Sequence, residues 1–187
     1  MSKYCVSAIV PAFNEEKTVF NVISTLQSSS LINEVICIND GSSDRTKEIL
    51  ERFKNDKKVK VINLDKNKGK GNALAEGIKK ATGDILIFLD ADLTNLTEKH
   101  LQLLLEPLLN DKYKAVLGYL VGGTGFTLAS NITGQRAYYK ADLIPHIEEM
   151  AETRFGVEVF LNGLFSKNET KKVPLPGLVG LYKYEKE

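Results

Sequence analysis

The stretch ATGDILIFLDADL (81–93) decides how the rest of the chain is read. Ile85, Leu86, Ile87, Phe88 and Leu89 are apolar in succession. A strand covered on only one face would alternate, so this run predicts a strand buried on both faces, as in a parallel sheet lined by helices. It ends on Asp90-Ala91-Asp92. Two like charges that close repel unless something positive sits between them. Taken alone, the triplet reads either as a helix cap with a solvated loop residue or as a cation site.

Working outward, the first 120 residues repeat the same alternation. VSAIVPAF (6–13) is a short apolar run, and Val19, Val22, Ile23 and Leu26 recur at helical spacing within 15–29. EVICIND (34–40) predicts a second strand, and Asp44 stands where it can cap a helix carrying Ile49, Leu50 and Phe53. VKVINL (59–64) is a third strand, followed by a Gly/Lys-rich loop and a helix with Ala73, Leu74, Gly77, Ile78 and Ala81 on one side. After the strand at 85–90 come a helix at 97–109 and a strand at 115–119. Such alternation predicts an α/β fold, a mostly parallel sheet flanked by helices. In sheets of this kind ligands sit beyond the carboxyl ends of the strands. That rule puts Asn14-Glu15, Asp40-Gly41 and Asp90-Ala91-Asp92 on one rim.

The last third reads differently. LVGGTGFTLASN (120–131) predicts a mobile loop or lid, and GQRAYYKADL (134–143) an extended segment running into a helix. In GVEVFLNGLF (156–165), Val157, Phe160, Leu161, Leu164 and Phe165 form an amphipathic helical stripe. KKVPLPGLVGLYKYEKE predicts a Pro-interrupted strand and a charged tail.

Composition narrows the function classes. With 25 Lys and Arg against 24 Asp and Glu in 187 residues, net charge favours no partner, and no nucleic-acid surface is expected. Cys5 and Cys37 lie in strand-like runs and predict buried, reduced thiols. No apolar run approaches the roughly 18 residues of a spanning helix, and the start lacks the layout of a signal peptide. The expectation is a cytoplasmic protein whose membrane contact, if any, is peripheral.

Four further stretches can carry chemistry, each with a plain alternative. Asp40 can accept a base or ribose hydrogen bond, while Gly41, Ser43 and Asp44 are explained by a strand-to-helix turn. Pro11-Ala12-Phe13-Asn14-Glu15-Glu16 lacks the glycine pattern of dinucleotide folds and suits a hydroxyl-bearing ligand or a helix start. Asn67-Lys68-Gly69-Lys70-Gly71-Asn72 can approach phosphates or be an exposed loop. Arg136 is read as a phosphate contact or as a surface ion pair, and Glu158 as a general base or a helix-start acid. His100 and His146 have no second ligand at metal spacing and read as structural or surface residues.

Together VPAFNEE (10–16), VICINDGSSDRT (35–46), NKGKGNAL (67–74), ATGDILIFLDADL (81–93) and TGQRAYYKADL (133–143) resemble glycosyltransferase family 2, nucleotide-sugar-dependent enzymes of the GT-A fold. The resemblance implies one domain over 1–187, with a nucleotide-binding half at 1–119 and an acceptor-side half at 120–187. It implies that Pro11, Ala12, Asn14 and Glu15 contact the nucleoside, that Asp40 reads the base, and that Lys70, Gly71 and Asn72 lie along the nucleotide. Asp90, Ala91 and Asp92 become the family's Asp-x-Asp motif, with Asp90 and Asp92 holding Mg²⁺ or Mn²⁺ against the donor diphosphate. Asp92, Glu158 and Arg136 are then the catalytic candidates. The implied donor is a UDP- or GDP-sugar, and the acceptor a polyprenyl or other lipid phosphate at a membrane, a lipid or a glycan. Self-association is left open. A third metal ligand, commonly a His near the C-terminus in related enzymes, has no counterpart in LPGLVGLYKYEKE. Two other functions fit the same residues: a binding protein that has lost catalysis, and a sugar-phosphate nucleotidyltransferase.

Overall fold

The computed structural model of the chain describes residues 4–110, 112–121, 132–153 and 156–181. Its centre is a seven-stranded sheet built from β1 (Val6–Ala12), β2 (Glu34–Asn39), β3 (Val59–Asn63), β4 (Ile85–Phe88), β6 (Ala115–Val121), β7 (Arg136–Tyr139) and β8 (Thr170–Pro176). The strand order is β3-β2-β1-β4-β7-β6-β8. β1 pairs in parallel with β2 and β4, β2 with β3, and β6 with β8, while β7 runs antiparallel to both its neighbours. A separate two-stranded ribbon joins β5 (Leu93–Thr94) to β9 (Val179–Gly180). The alternating sequence does not announce this ribbon, since each strand has only two residues.

Successive residues of the central strands bury opposite faces, as pleating demands. Val6, Ala8 and Val10 of β1, with Ile85 and Ile87 of β4, meet α1 (Val19–Ser28), α2 (Thr46–Leu50) and α4 (Glu98–Leu109). Ile9, Leu86 and Phe88 face the other way, onto α3 (Lys70–Lys80), α6 (Ile147–Glu152) and α7 (Val157–Leu164). A short helix, α5 (Lys140–Leu143), follows β7 directly. α3 lies very close to the sheet: a methyl group on Gly77 would run into the side chains of Ile9 and Ile38. The amphipathic stripe expected on 156–165 is borne out, with Val157 and Leu161 buried and Phe160, Leu164 and Phe165 packed against the same core.

Several boundaries move. α1 starts at Val19, because residues 14–18 form a turn rather than helix. The N-cap of α2 is Arg45 rather than Asp44, which stands one residue earlier and accepts the first helical amide, that of Thr46, at its Oδ1 at 2.9 Å. Only half of the cysteine reading holds. Cys37 is buried mid-strand, where burial pushes its thiol pKa up, but Cys5 precedes β1 at the sheet's rim and is exposed. His100 is structural, closing a capping box with Thr97 at the start of α4 and meeting the Pro176 carbonyl at 2.9 Å. The lid expected over 120–131 lies outside the described residues from 122 onward, as does the tail from 182; Leu120 and Val121 belong to β6. Among the described residues, no helix is long and apolar enough to cross a membrane.

Candidate active site

The strand order reverses between β1 and β4, and a cleft of about 720 Å³ opens beyond their carboxyl ends. That lies within the range of small-molecule and cofactor sites. Its wall takes Pro11 to Thr18 from the end of β1 and the turn after it, Asp40 and Asp44 from the turn after β2, Asn67 from the loop before α3, Lys70 and Ala73 from the start of α3, and Asp90, Ala91 and Asp92 from the turn after β4. Leu181, just past β9, closes one side.

The first part of this wall is stitched by side chains binding backbone. Asn14 adopts a left-handed conformation, φ 57°. Its amide N–H donates to Ser42 Oγ at 3.0 Å, and its Oδ1 accepts the Ser43 N–H at 2.9 Å. The Glu15 N–H donates to Thr46 Oγ1 and the Glu16 N–H to Asp44 Oδ2. Glu16 in turn pairs with Arg45, and that contact lowers its pKa. Asp40 is 3% exposed, and its two oxygens accept the N–H groups of Lys68 and Gly69, each at 2.8 Å. Gly41 makes room for that loop: its φ is +69°, and a Cβ there would stand 2.5 Å from the Lys66 carbonyl carbon. Asp40 therefore fixes the Gly/Lys-rich loop beside the cleft that it lines.

The second part is a cluster of charges. Lys70 opens α3, and its Nζ stands 2.5 Å from Asp90 Oδ1 and 2.6 Å from Glu158 Oε1. Burial alone would depress the Lys70 ammonium, but the two carboxylates more than reverse this and hold its pKa above the ordinary lysine value. Glu158, from α7, is thus brought beside the Asp-x-Asp turn although 68 residues and three strands separate it from Asp90. On the other side, Gln135 Nε2 donates to Asp90 Oδ2 at 2.9 Å. Asp92 is half-buried beside the ribbon, its carbonyl accepting the Leu181 N–H at 3.1 Å.

The donor set suits a hard divalent cation. Asp90 and Asp92 are partly exposed oxygen donors on one turn, and both line the cleft. Among the described residues no group of three or more His, Cys, Asp and Glu forms a cage. An ion held here would keep positions for water and phosphate oxygens, which is how Mg²⁺ is ordinarily bound.

Not every expected residue joins the cleft. Arg136 is 1% exposed and beneath the surface, with Nε donating to the Thr133 carbonyl and Nη1 to Tyr138 Oη at 3.1 Å and Asn162 Oδ1 at 2.9 Å. The reason is register. Arg136 stands opposite Phe88, so pleating turns both towards the α7 face. The surface ion pair read for it is corrected accordingly, because the residue is buried. Gly71 is buried within α3, and Asn72 borders a second, polar cavity of about 540 Å³ with Lys66, Lys68 and Glu152. Sequence reasoning missed Gln135 and Leu181. The Thr133-Gly134-Gln135 triplet just before a strand that pairs with the Asp-x-Asp strand was the only available signal for Gln135.

Comparison with known proteins agrees with this geometry. The model of "Glycosyl transferase family 2" matches residues 7–159. The chain belongs to that family. It is 31% identical over 163 residues to a poly-beta-1,6-N-acetyl-D-glucosamine synthase of Staphylococcus aureus, a match covering 86% of this chain and 38% of the relative. A synthase of the same name from Staphylococcus epidermidis is 43% identical over 88 residues, 46% of this chain and 21% of the relative. The chain thus spans well under half the length of these curated relatives. Among solved structures, glucosyl-3-phosphoglycerate synthase of Mycobacterium tuberculosis, in complex with Mn²⁺, UDP and glucosyl-3-phosphoglycerate, superposes with a TM-score of 0.75 at 22% identity, covering 97% of this chain and 73% of that one. The same enzyme in complex with Mg²⁺ and UDP gives 0.73. The GT-A fold is therefore shared.

Proposed function

We propose that the chain transfers a hexosyl group from a nucleoside-diphosphate sugar, with UDP the first choice of nucleotide, to an acceptor oxygen. The observation that carries this reading is the cleft at the sheet's reversal point, which gathers Asp40, Lys70, Asp90 and Asp92 together. UDP comes before GDP because the matching structures hold UDP. Residues 1–119 then carry the nucleotide side and 120–187 the acceptor side.

In this reading the turn after β1 receives the nucleoside, with Pro11 and Ala12 beneath it and Asn14 and Glu15 at its edge. Asp40 accepts from the imide N–H of the base. Lys70 lies along the diphosphate, where its ammonium offsets the charge, while Gly71 and Asn72 back it from the first turn of α3 without lining the cleft. Asp90 and Asp92 hold Mg²⁺ or Mn²⁺, which, when bound, acts as a Lewis acid on the departing diphosphate. As the bond between the anomeric carbon and the diphosphate oxygen breaks, positive charge grows on the sugar and negative charge on the leaving group. The acceptor oxygen bonds to the anomeric carbon, and Glu158 takes its proton when it is a hydroxyl. A phosphate acceptor, such as a lipid phosphate met at the cytoplasmic membrane face, is already anionic and leaves Glu158 to position Lys70. Arg136 serves this site from below, through the Thr133 carbonyl and Asn162 of α7.

The test is a screen of UDP- and GDP-sugars by thermal shift with Mn²⁺ present, followed by detection of released nucleoside diphosphate. Stabilisation by one sugar nucleotide and its turnover support the proposal. Stabilisation without turnover on any acceptor leaves a binding protein, and release of pyrophosphate from a nucleoside triphosphate and a sugar phosphate replaces the reading with nucleotidyl transfer.

A further inference from the structure

Asp90 is held from two sides by different means. Lys70 supplies a cation, whereas Gln135, which is 3% exposed, supplies a neutral N–H at 2.9 Å. The amide can face only one way. Thr133 Oγ1 lies 2.6 Å from Gln135 Oε1, and the reverse orientation would set an amide oxygen against the Asp90 carboxylate. The support continues inward: the Gln135 backbone N–H donates to Thr133 Oγ1 at 3.2 Å, and its carbonyl accepts the Gly118 N–H of β6 at 2.8 Å. Gly134 passes so near that a Cβ there would overlap the Asp90 carboxylate. The 133–135 segment is thus a rigid seat for that side chain, built from the residues just before β7, distant in sequence from Asp90.

We propose that Gln135 is a positioning residue for the metal-holding carboxylate, turning Asp90 towards the diphosphate without consuming its charge. Lys70 already balances one of two acids, Asp90 and Glu158. A second cation at position 135 would compete with the divalent ion, whereas a neutral donor fixes direction alone. Partners that orient a metal ligand in this way are typically worth about 10- to 100-fold in metal affinity.

This inference rests on the metal site of the proposed function, so the experiment separates the two. Mn²⁺ affinity is measured by electron paramagnetic resonance at saturating UDP, and UDP affinity by calorimetry in EDTA, for wild type, Gln135→Met and Thr133→Val. The expected result is Mn²⁺ affinity weakened about 10-fold or more in Gln135→Met and about threefold in Thr133→Val, with metal-free UDP affinity unchanged. Wild-type Mn²⁺ affinity in Gln135→Met, or equal losses with and without metal, would overturn the inference while leaving the metal site standing. Should Gln135→Met not fold, Thr133→Val decides: weaker Mn²⁺ binding supports the seat, and unchanged binding overturns it. A wild-type protein that binds UDP equally well with Mn²⁺ and with EDTA would overturn the metal site itself, and the inference with it.

Discussion

Two carboxylate–lysine clusters sit at opposite ends of the same sheet, and each contains an N···O contact of 2.5 Å. At the amino end, Glu34 opens β2 and accepts from Ser7 Oγ at 2.6 Å, the Thr82 N–H at 2.9 Å and Lys60 Nζ. Burial pushes the Glu34 pKa up, but these donors outweigh it and leave the pKa below the ordinary carboxylate value. This acid is saturated by protein. At the carboxyl end, Asp90 also meets Lys70 and Gln135, yet it lines a cleft and shares its lysine with Glu158. The contrast shows that a close, partly buried ion pair is not itself a mark of function. What distinguishes the second cluster is an excess of acid over base facing open volume.

The comparison breaks most sharply with Asp92→Asn. Transfer should fall by about 10³-fold, the size of losing a main transition-state charge contact, with the melting temperature unchanged. Retained turnover would show that the carboxyl-end cluster is as structural as the other. Glu158→Gln should lower kcat by about 10²-fold on a hydroxyl acceptor and far less on a phosphate acceptor, which steady-state kinetics on both acceptors would separate. Gly134→Ala should displace the Asp90 carboxylate and weaken Mn²⁺ binding by about 10-fold, read by the Mn²⁺ titration.

At the other end of the sheet, Glu34→Gln should leave UDP binding intact and cost about 1–3 kcal/mol of stability, seen as a drop of about 3–10 °C in thermal unfolding. The pH dependence has a definite sign. Because the folded pKa lies below the unfolded value of 4.5, the contribution of Glu34 is fully present above that value and is lost as pH falls through the folded one. Wild type and Glu34→Gln should therefore converge in stability in acid. Curves that stay parallel down the acid limb would deny Glu34 that role.

The same two clusters show what the sequence could tell. The strands at 6–13, 34–40 and 85–90 were legible because buried parallel strands are largely apolar, and the edge strand at 59–64 because Val59, Val61 and Ile62 are β-branched. The rule about their carboxyl ends placed Asp40, Asp90 and Asp92 together. The partners of those acids were not legible. Lys70 and Glu158 lie 88 residues apart and Gln135 and Asp90 lie 45 apart, so their meeting depends on β7 inserting antiparallel between β4 and β6. Nothing in local periodicity states that order. Arg136 illustrates the same gap: its residue type suggested phosphate, whereas its register opposite Phe88 put it in the core. Cys5 went wrong for a smaller reason, since the apolar run containing it begins one residue before the strand does.

The central claim is that Asp90 and Asp92 present a divalent ion to a nucleoside diphosphate in the cleft between β1 and β4. Anomalous diffraction from crystals soaked in Mn²⁺ and UDP tests this most directly. The account predicts one strong peak within bonding distance of the Asp92 carboxylate and the UDP phosphates, with Asp90 reached directly or through water; UDP bound in the cleft with no peak beside these residues would contradict it.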